Sequence, residues 1–295
     1  MAAILGDEEL HLFHMRDREV IRRLLVSRSP AEALLIMALW LWFENIGYPS
    51  VIASMATLAN PQLINVMARE AMSCLRVLEA ENPIIPPNGG LPITSTLMQR
   101  EISLQLLNLT RFTAVSGVKS VLEKVCVPIF SDIIENYLYP RNRLSLAAGT
   151  DTNPFGRFVV PGFPHPLFDN FTIPANYLPS IDLFDVNVWN DQRPCSNYLT
   201  KDDKTMFLTF SRGFPVSEQE VRMLFQSCFG DIIVELTMGN HVNVNDKGYE
   251  QILFATMVVN SIRSMDKILK GKRIAKFRVN GKHIWARKYA RRLPN

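Results

Sequence analysis

The sequence lacks the signatures of several common protein classes. Only four of its 295 residues are cysteine, namely Cys74, Cys126, Cys195 and Cys228, and no two of them form a CxxC pair. This spacing predicts neither a zinc site nor a disulfide framework, and it favours reduced, partly buried thiols in an intracellular protein. The glycine-rich dinucleotide-binding motif and the P-loop are also absent from the sequence.

Long apolar runs are equally scarce. The strongest run, residues 33–43 (ALLIMALWLWF), lies between Glu32 and Glu44. It is much shorter than the about 20 residues that a membrane-spanning helix needs. We therefore predict a buried core helix here, with a membrane-associated helix as the alternative. The first residues, MAAILGDEELHLF, do not combine a basic region with an apolar stretch, so no secretory signal is expected.

Groups that suggest catalysis or metal binding are few. His11 and His14 are close in sequence, but no cysteine or carboxylate pattern completes a metal site around them, and surface histidines are the simpler interpretation. No serine, cysteine or threonine lies in a nucleophile motif, and no carboxylate pair has a catalytic context. We expect a protein that is not an enzyme, with no catalytic residue, no metal and no cofactor.

The composition is that of a folded protein with an uneven charge. Its 47% hydrophobic and 20% charged residues suit a globular chain, and its length favours two domains. The net charge of +4 hides an asymmetry, because residues 201–295 hold 17 Lys and Arg against 9 Asp and Glu, whereas the rest holds 15 against 19. A basic C-terminal third and a mildly acidic remainder suggest different roles for the two parts.

Residues 1–138 predict an all-α domain. A first helix is expected from Asp7 to about Ser27, and Ser29 caps a second one that ends near Gly47. A third helix starts at Pro61, and Pro128 is expected to break or kink a later one. The apolar stripes of the first and third helices are Leu10, Phe13, Val20, Ile21, Leu24, Leu25 and Leu63, Met67, Ala71, Cys74, Leu75, Leu78.

Residues 139–200 predict a linker rich in proline and aromatic residues. Eight prolines between Pro140 and Pro194 leave no helical period, and phenylalanines are interspersed among them. Two interpretations stay open: an extended linker that places its aromatic side chains on a neighbouring domain, and a short motif around residues 159–168 (VVPGFPHPLF) that binds a partner's aromatic groove.

Residues 201–295 follow a β-α-β-β-α-β order. Strands are predicted at 206–211, 231–238, 253–259 and 283–289, with a polar loop at 239–248. Ser217 and Glu220 form a capping box before the first helix, and Asn260 or Ser261 caps the second. Two helices on a four-stranded antiparallel sheet form a split βαβ domain, so the predicted fold class is α+β with two domains.

Two strings in this region carry a family resemblance. Met206-Phe207-Leu208 resembles the start of the RNP2 signature of the RNA recognition motif, although Phe210 and Ser211 depart from the usual Asn-Leu. For RNP1, residues 247–249 (KGY) copy the opening of the signature but would turn Glu250 toward the helices, where an unpaired carboxylate is costly. Shifting the signature to begin its matches at Phe254 turns the small Ala255 inward, and we prefer that register.

The alternation of a strand then sorts the side chains. Those predicted to face the helices are Met206, Leu208, Ala255, Met257, Ile284 and Ala286, and those predicted to face the open side are Phe207, Phe254, Thr256, His283, Trp285 and Arg287. The resemblance implies that Phe207 and Phe254 stack on RNA bases. Thr256 replaces a third aromatic residue, and Trp285 is a substitute platform.

Basic residues are dense beside these aromatic side chains. Twelve Lys and Arg lie between Arg263 and Arg292, opposed by Asp266 alone. Such density suits phosphate binding, although a solvated basic face or an import signal is the alternative. The predicted RNA-binding residues are Phe207, Phe254, Thr256, Lys282, His283, Trp285, Arg287, Lys288, Arg291 and Arg292.

The whole chain also resembles a group of plant proteins that join a helical N-terminal region to a divergent RNA recognition motif. The strings that carry this likeness include residues 34–50, 159–168 and 206–221. We expect a non-catalytic protein of the nucleus or cytoplasm that binds single-stranded RNA, does not enter membranes, and binds a protein partner through the helical domain or linker. The alternative is an adaptor whose C-terminal domain binds a peptide or protein.

Overall fold

Helices dominate the N-terminal part of the chain, and an antiparallel sheet dominates the C-terminal part. The computed structural model describes residues 7–58, 61–139, 157–174, 200–239, 242–244 and 250–289. The fold is mixed α+β, as predicted. Two compact units are formed, one from Met1–Leu107 with Val115–Arg193 and the other from Asn108–Ala114 with Pro194–Asn295.

The helices of the N-terminal part are short, apart from two. They are α1 (Asp7–Phe13), α2 (Met15–Leu25), α3 (Pro30–Asn45), α4 (Val51–Leu58), α5 (Pro61–Glu79), α6 (Pro92–Met98), α7 (Leu104–Leu109), α8 (Arg111–Val121) and α9 (Val127–Leu138). The predicted second and third helices correspond to α3 and α5. The sequence reading did not include α4.

Helix α3 is the centre of the first unit. Every side chain from Ala33 to Phe43 is at most 4% exposed, so the helix is covered on all sides, as an apolar run without a polar face requires. Ser29 accepts a hydrogen bond from the Glu32 N–H, and Glu32 completes the capping box. The predicted core helix is confirmed. Among the described residues, no helix is both long and apolar enough to cross a membrane.

The predicted first helix was wrong in continuity. It is interrupted at His14, which separates α1 from α2, and Phe13 is 65% exposed although its apolar stripe placed it in the core. The prediction of a surface histidine was also wrong for His14, which is 5% exposed. Its Nδ1 lies 2.7 Å from the Asp17 carboxylate.

Pro128 interrupts the α-helical pattern without ending the helical run. Leu122–Cys126 form a π-helical turn between α8 and α9, and Pro128 then occupies the first turn of α9. A proline lacks the N–H that an interior helical residue donates, and it is tolerated in a first turn. The wider turn before it allows the run to continue.

The described part of the linker folds onto the first unit. It forms strands β1 (Arg157–Val159) and β2 (Thr172–Pro174), which pair with each other. Phe158, Phe163, Phe168 and Phe171 are at most 9% exposed, and His165 Nε2 lies 2.9 Å from Glu79 Oε1 on α5. The first interpretation, a linker that places its aromatic side chains on a neighbouring domain, therefore applies to residues 157–174. The alternative short motif has Phe163 and Phe168 buried within its own chain.

The second unit is built around a five-stranded antiparallel sheet. Its elements after a 3₁₀ turn (Lys201–Lys204) are β3 (Thr205–Phe210), α10 (Glu218–Phe229), β4 (Ile233–Met238), β5 (Val242–Val244), β6 (Glu250–Ile252), β7 (Phe254–Val259), α11 (Ile262–Leu269), β8 (Ile274–Val279) and β9 (Lys282–Lys288). The strand order is β4-β7-β3-β9-β8, and β5 pairs separately with β6.

Two predictions for this sheet were wrong. It has five strands rather than four, because residues 274–279 form an edge strand that pairs with β9 across the Asn280-Gly281 turn. The predicted polar loop at 239–248 contains β5. The RNP1 register that begins with residues 247–249 falls outside the described residues.

The two helices cover one face of the sheet, as predicted. Ser217 and Glu220 form the capping box of α10, and the Ser261 side chain accepts from the Ser264 N–H to cap α11. One apolar cluster joins Val221 and Phe225 of α10, Met265 and Ile268 of α11, and the inward side chains of the strands.

A short segment from the N-terminal half belongs to this second unit. Residues Asn108–Ala114 cluster with it, and the Asp266 carboxylate of α11 accepts hydrogen bonds from the Phe112 N–H at 2.9 Å and the Thr113 N–H at 2.8 Å. These two groups lie in the first turn of α8, where backbone N–H groups have no partner within the helix. The second unit is therefore not continuous in sequence.

Candidate nucleic-acid interface

The two faces of the sheet differ as the alternation predicted. Met206, Leu208, Ala255, Met257, Ile284 and Ala286 are all completely buried beneath the helices. Phe207, Phe254, Thr256, His283 and Trp285 are half-buried on the other side, and Arg287 is exposed. We refer to this other side, opposite α10 and α11, as the open face.

The departure at Phe210 has no effect on the open face. Phe210 has the same parity as Met206 and Leu208, and it is 6% exposed within the apolar cluster. An aromatic residue at this position therefore fills the core. The open-face positions of β3 are Thr205, which is buried, and Phe207 and Thr209, which are half-buried.

Two rows of side chains cross the open face. In one row, Phe207 lies between Thr256 of β7 and Arg287 of β9. In the other row, Thr209 lies between Phe254 of β7 and Trp285 of β9. Cross-strand neighbours on one face of a sheet are close enough for their side chains to interact. The register thus brings the three predicted aromatic side chains onto three adjacent strands.

Phe207 and Phe254 form an aromatic pair. Their ring centroids are 5.4 Å apart and their planes are inclined by 21°, within the range of favourable ring packing. The backbone of Gly239 lies directly against the Phe254 ring, because a Cβ atom at that position would lie 2.6 Å from the ring. The glycine lets the end of β4 approach the ring closely.

Arg287 lies over one ring of this pair. Its guanidinium carbon is 4.7 Å from the centroid of the Phe207 ring, a distance typical of a cation–π interaction worth about 0.5–1 kcal/mol at an exposed site. A guanidinium group offers a flat surface and several donors, so it can stack on a base or bind a phosphate. A base that stacks on this face of Phe207 has to displace or share the position of the guanidinium.

Trp285 forms a second aromatic position. The Lys276 Nζ atom of β8 is 5.6 Å from its ring centroid, and the His283 ring is 5.9 Å away. Lys276 was not among the predicted site residues, because its stretch was interpreted as a run of charge. The alternation of Ile274, Lys276 and Arg278 with buried Ala275 and half-buried Phe277 was the signal of a strand.

Two of the predicted RNA-binding residues lie off the open face. Lys282 and Lys288 share the parity of the buried Ile284 and Ala286, so they project to the helix side. Lys282 Nζ contacts Glu220 of α10 at 2.8 Å. Lys288 Nζ lies 5.4 Å from the Phe112 ring and 3.9 Å from Asp203.

The contact between Lys282 and Glu220 lowers the pKa of the Glu220 carboxyl group in the capping box. The hydrogen bond from Lys282 lowers the pKa of Glu220 to about 2, with help from the backbone N–H of Ser217 and the side-chain amide of Asn280. The carboxylate is therefore ionised throughout the neutral range, and Lys282 is its counter-ion. Lys282 is engaged in this cluster and is not directed at the open face.

The remaining predicted site residues, Arg291 and Arg292, lie outside the described residues, as does Cys195. Within the described part of the chain, no group of three or more His, Cys, Asp or Glu is placed to hold a metal ion. Comparisons with protein-family models, curated proteins and solved structures gave no significant match, so function has to be inferred from the sheet itself.

Proposed function

We propose that the second unit is a divergent RNA recognition motif that binds single-stranded RNA on its open face without catalysing a reaction. The observation that carries this proposal is the aromatic pair Phe207–Phe254, which lies half-exposed on two central strands with Arg287 over the Phe207 ring. Bases stack on such rings with about 1–3 kcal/mol each, and single-stranded RNA presents unpaired bases for stacking.

The order of the elements supports the proposal. Taken as first to fourth along the chain, β3, β4, β7 and β9 lie side by side in the order second, third, first, fourth. One helix follows the first strand and another follows the third, as expected of a split βαβ arrangement. In this family the aromatic positions of RNP2 and RNP1 lie on the two central strands, where Phe207 and Phe254 lie.

The distribution of charge also supports it. Arg287, Lys276 and Arg278 project from the open face and are exposed, whereas Glu235 at the opposite edge is paired with Lys201 at 2.6 Å. Cationic groups beside aromatic rings suit a ligand that has bases and phosphates together. We therefore expect the affinity to fall as the salt concentration rises.

The proposal is tested by titrating the full-length protein into fluorescein-labelled, random-sequence 12-nucleotide RNA at two salt concentrations. Phe207→Ala combined with Phe254→Ala should weaken binding at least about 30-fold, since each lost stack costs about 1 kcal/mol or more. The control is Phe13→Ala, which removes an exposed phenylalanine from the first unit. Equal affinities for the double variant and the wild-type protein would remove the stacking mechanism.

A second experiment on the same protein distinguishes RNA binding from the adaptor alternative. Affinity capture with and without ribonuclease separates partners held through RNA from partners held directly. Loss of partners after digestion supports RNA binding, and retention together with no measurable RNA affinity supports an adaptor. The role predicted for the helical region in protein binding stays a prediction.

A further inference from the structure

The fifth strand, β8, extends the open face beyond β4, β7, β3 and β9. On β8, Ile274, Lys276 and Arg278 are exposed, while Ala275 is buried and Phe277 packs in the apolar cluster. The register sets Lys276 opposite Trp285 and Arg278 opposite His283. Two cationic side chains of β8 therefore lie directly beside the aromatic and imidazole rings of β9.

The aromatic side chains are spread over three strands of the open face, and the exposed cations are concentrated at one end of it. Adjacent strands are about 4.8 Å apart, so β7 and β8 are separated by about 14 Å. Phe254, Phe207 and Trp285 lie on three consecutive strands within this span, and the exposed cations Arg287, Lys276 and Arg278 lie at the β9–β8 end. The far edge at β4 has Glu235 neutralised by Lys201.

The position of Lys276 indicates what this edge binds. An ammonium group 5.6 Å from the Trp285 centroid stays close to the ring, and the lysine side chain is exposed and long enough to reach a phosphate next to a base on that ring. Arg278, two residues along the same face, offers a second phosphate contact with its planar donors. A nucleotide needs an aromatic ring for its base and a nearby cation for its phosphate, and Trp285 with Lys276 and Arg278 offers both.

We propose that β8 and Trp285 form an additional nucleotide subsite, in which a base stacks on Trp285 while Lys276 and Arg278 bind the adjoining phosphates. This inference rests on the proposed function of the open face and extends it by one strand. RNA then crosses the sheet from β7 toward β8, with its phosphates toward the cationic edge.

The test compares two charge-matched double variants of the full-length protein. Lys276→Thr with Arg278→Thr removes both proposed phosphate contacts and keeps the β propensity of an edge strand. Arg263→Ala with Lys267→Ala removes two exposed positive charges from α11, which covers the opposite face, and keeps the helix propensity. Both variants lower the net charge equally, and thermal melts establish that both are folded.

The readout is the affinity for the labelled 12-nucleotide RNA over a series of salt concentrations. Each phosphate contact to a single strand contributes about 0.7 to the slope of log affinity against log salt. The β8 variant should lose about 1.4 from that slope and roughly 25-fold in affinity at 0.1 M salt, while the α11 variant stays near wild type. Trp285→Ala should weaken binding with an unchanged slope.

Each other result overturns the subsite. Equal losses in the two charge variants would indicate attraction by net charge alone. An unchanged β8 variant, in a protein whose affinity depends on Phe207 and Phe254, would refute the subsite and leave the proposed function standing. A wild-type protein without RNA affinity would refute both.

Discussion

Neighbouring residues on β9 have different roles because their side chains alternate between two environments. Arg287 and Trp285 project to the open face, whereas Lys282 projects to the helix side and contacts Glu220 at 2.8 Å. The same charge on the same strand is therefore part of a helix cap at one position and of a candidate ligand surface at another. The alternation of side chains along β9 was enough to separate the helix-side residues from the open-face residues. The high density of positive charge obscured this alternation in the sequence.

The Glu220 cluster predicts a dependence of stability on acid. The pKa of Glu220 in the folded protein is lowered from 4.5 to about 2 by Lys282, Ser217 and Asn280, so the cluster stabilises the fold above pH 4.5 and loses this contribution as the pH falls through about 2. Glu220→Gln should reduce stability near neutral pH by on the order of 1 kcal/mol, in line with a partly exposed ion pair.

Urea denaturation at several pH values checks this. Between pH 5 and pH 2, the wild-type protein should lose more stability than Glu220→Gln does. Glu218→Gln is the matched control, because Glu218 lies in the same first turn and pairs with the exposed Arg222. Parallel pH profiles for wild type and Glu220→Gln would contradict the assignment.

Strand β8 was not predicted, although its sequence has the pattern of a strand. Residues 274–279 alternate as a strand does, but two of the six are basic and Arg273 precedes them, and the charge was taken as the main feature. The strands containing Phe207, Phe254 and Trp285 were predictable because small or aliphatic residues alternate with them. The burial of His14, which is 5% exposed, was not predicted, because the burial of a polar side chain is decided by tertiary packing rather than by its residue type.

Helix α8 begins with a cap supplied by another element. Asp266 accepts from the N–H groups of Phe112 and Thr113, and the Thr113 hydroxyl donates to the same carboxylate. Asp266→Ala leaves these donors without their acceptor and should destabilise the protein by roughly 2 kcal/mol. Asp266→Asn, which keeps one carbonyl oxygen, should show an intermediate loss.

Chemical denaturation of the full-length protein measures these losses. Asp231→Ala is the control, because Asp231 is exposed in the same unit and its removal changes the net charge by the same amount. The Asp231 variant should stay within about 0.5 kcal/mol of wild type. If Asp266→Ala also stayed within about 0.5 kcal/mol of wild type, water would replace the carboxylate without a loss of stability.

The boundaries of the second unit were not predictable from composition. The predicted domain began at residue 201, but Asn108–Ala114 belongs to the unit as well, and the described linker residues fold with the helices. The residues of this segment lie within a helical pattern, and nothing local distinguishes them from the helices around them. Phe112 packs against the apolar cluster of the sheet, which is a contact distant in sequence.

A fragment that starts at residue 194 should therefore be incomplete. Without Phe112 and Thr113, the Asp266 carboxylate loses its donors and Lys288 loses the ring beside it. Hydrogen exchange followed by mass spectrometry should show α11 exchanging about tenfold or more faster in the fragment than in the full chain. Equal protection in the two samples would show that the segment contributes nothing to this unit.

The bond between Asp266 and Thr113 joins residues that are 153 positions apart, which also affects the time course of biosynthesis. A ribosome adds about 5–20 residues per second, so Thr113 is made about 8–30 s before Asp266. During that interval the first turn of α8 lacks the carboxylate that accepts from its N–H groups in the folded protein. The segment of the second unit that is made first thus acquires its partner only after β3, α10, β4 and β7 have been made.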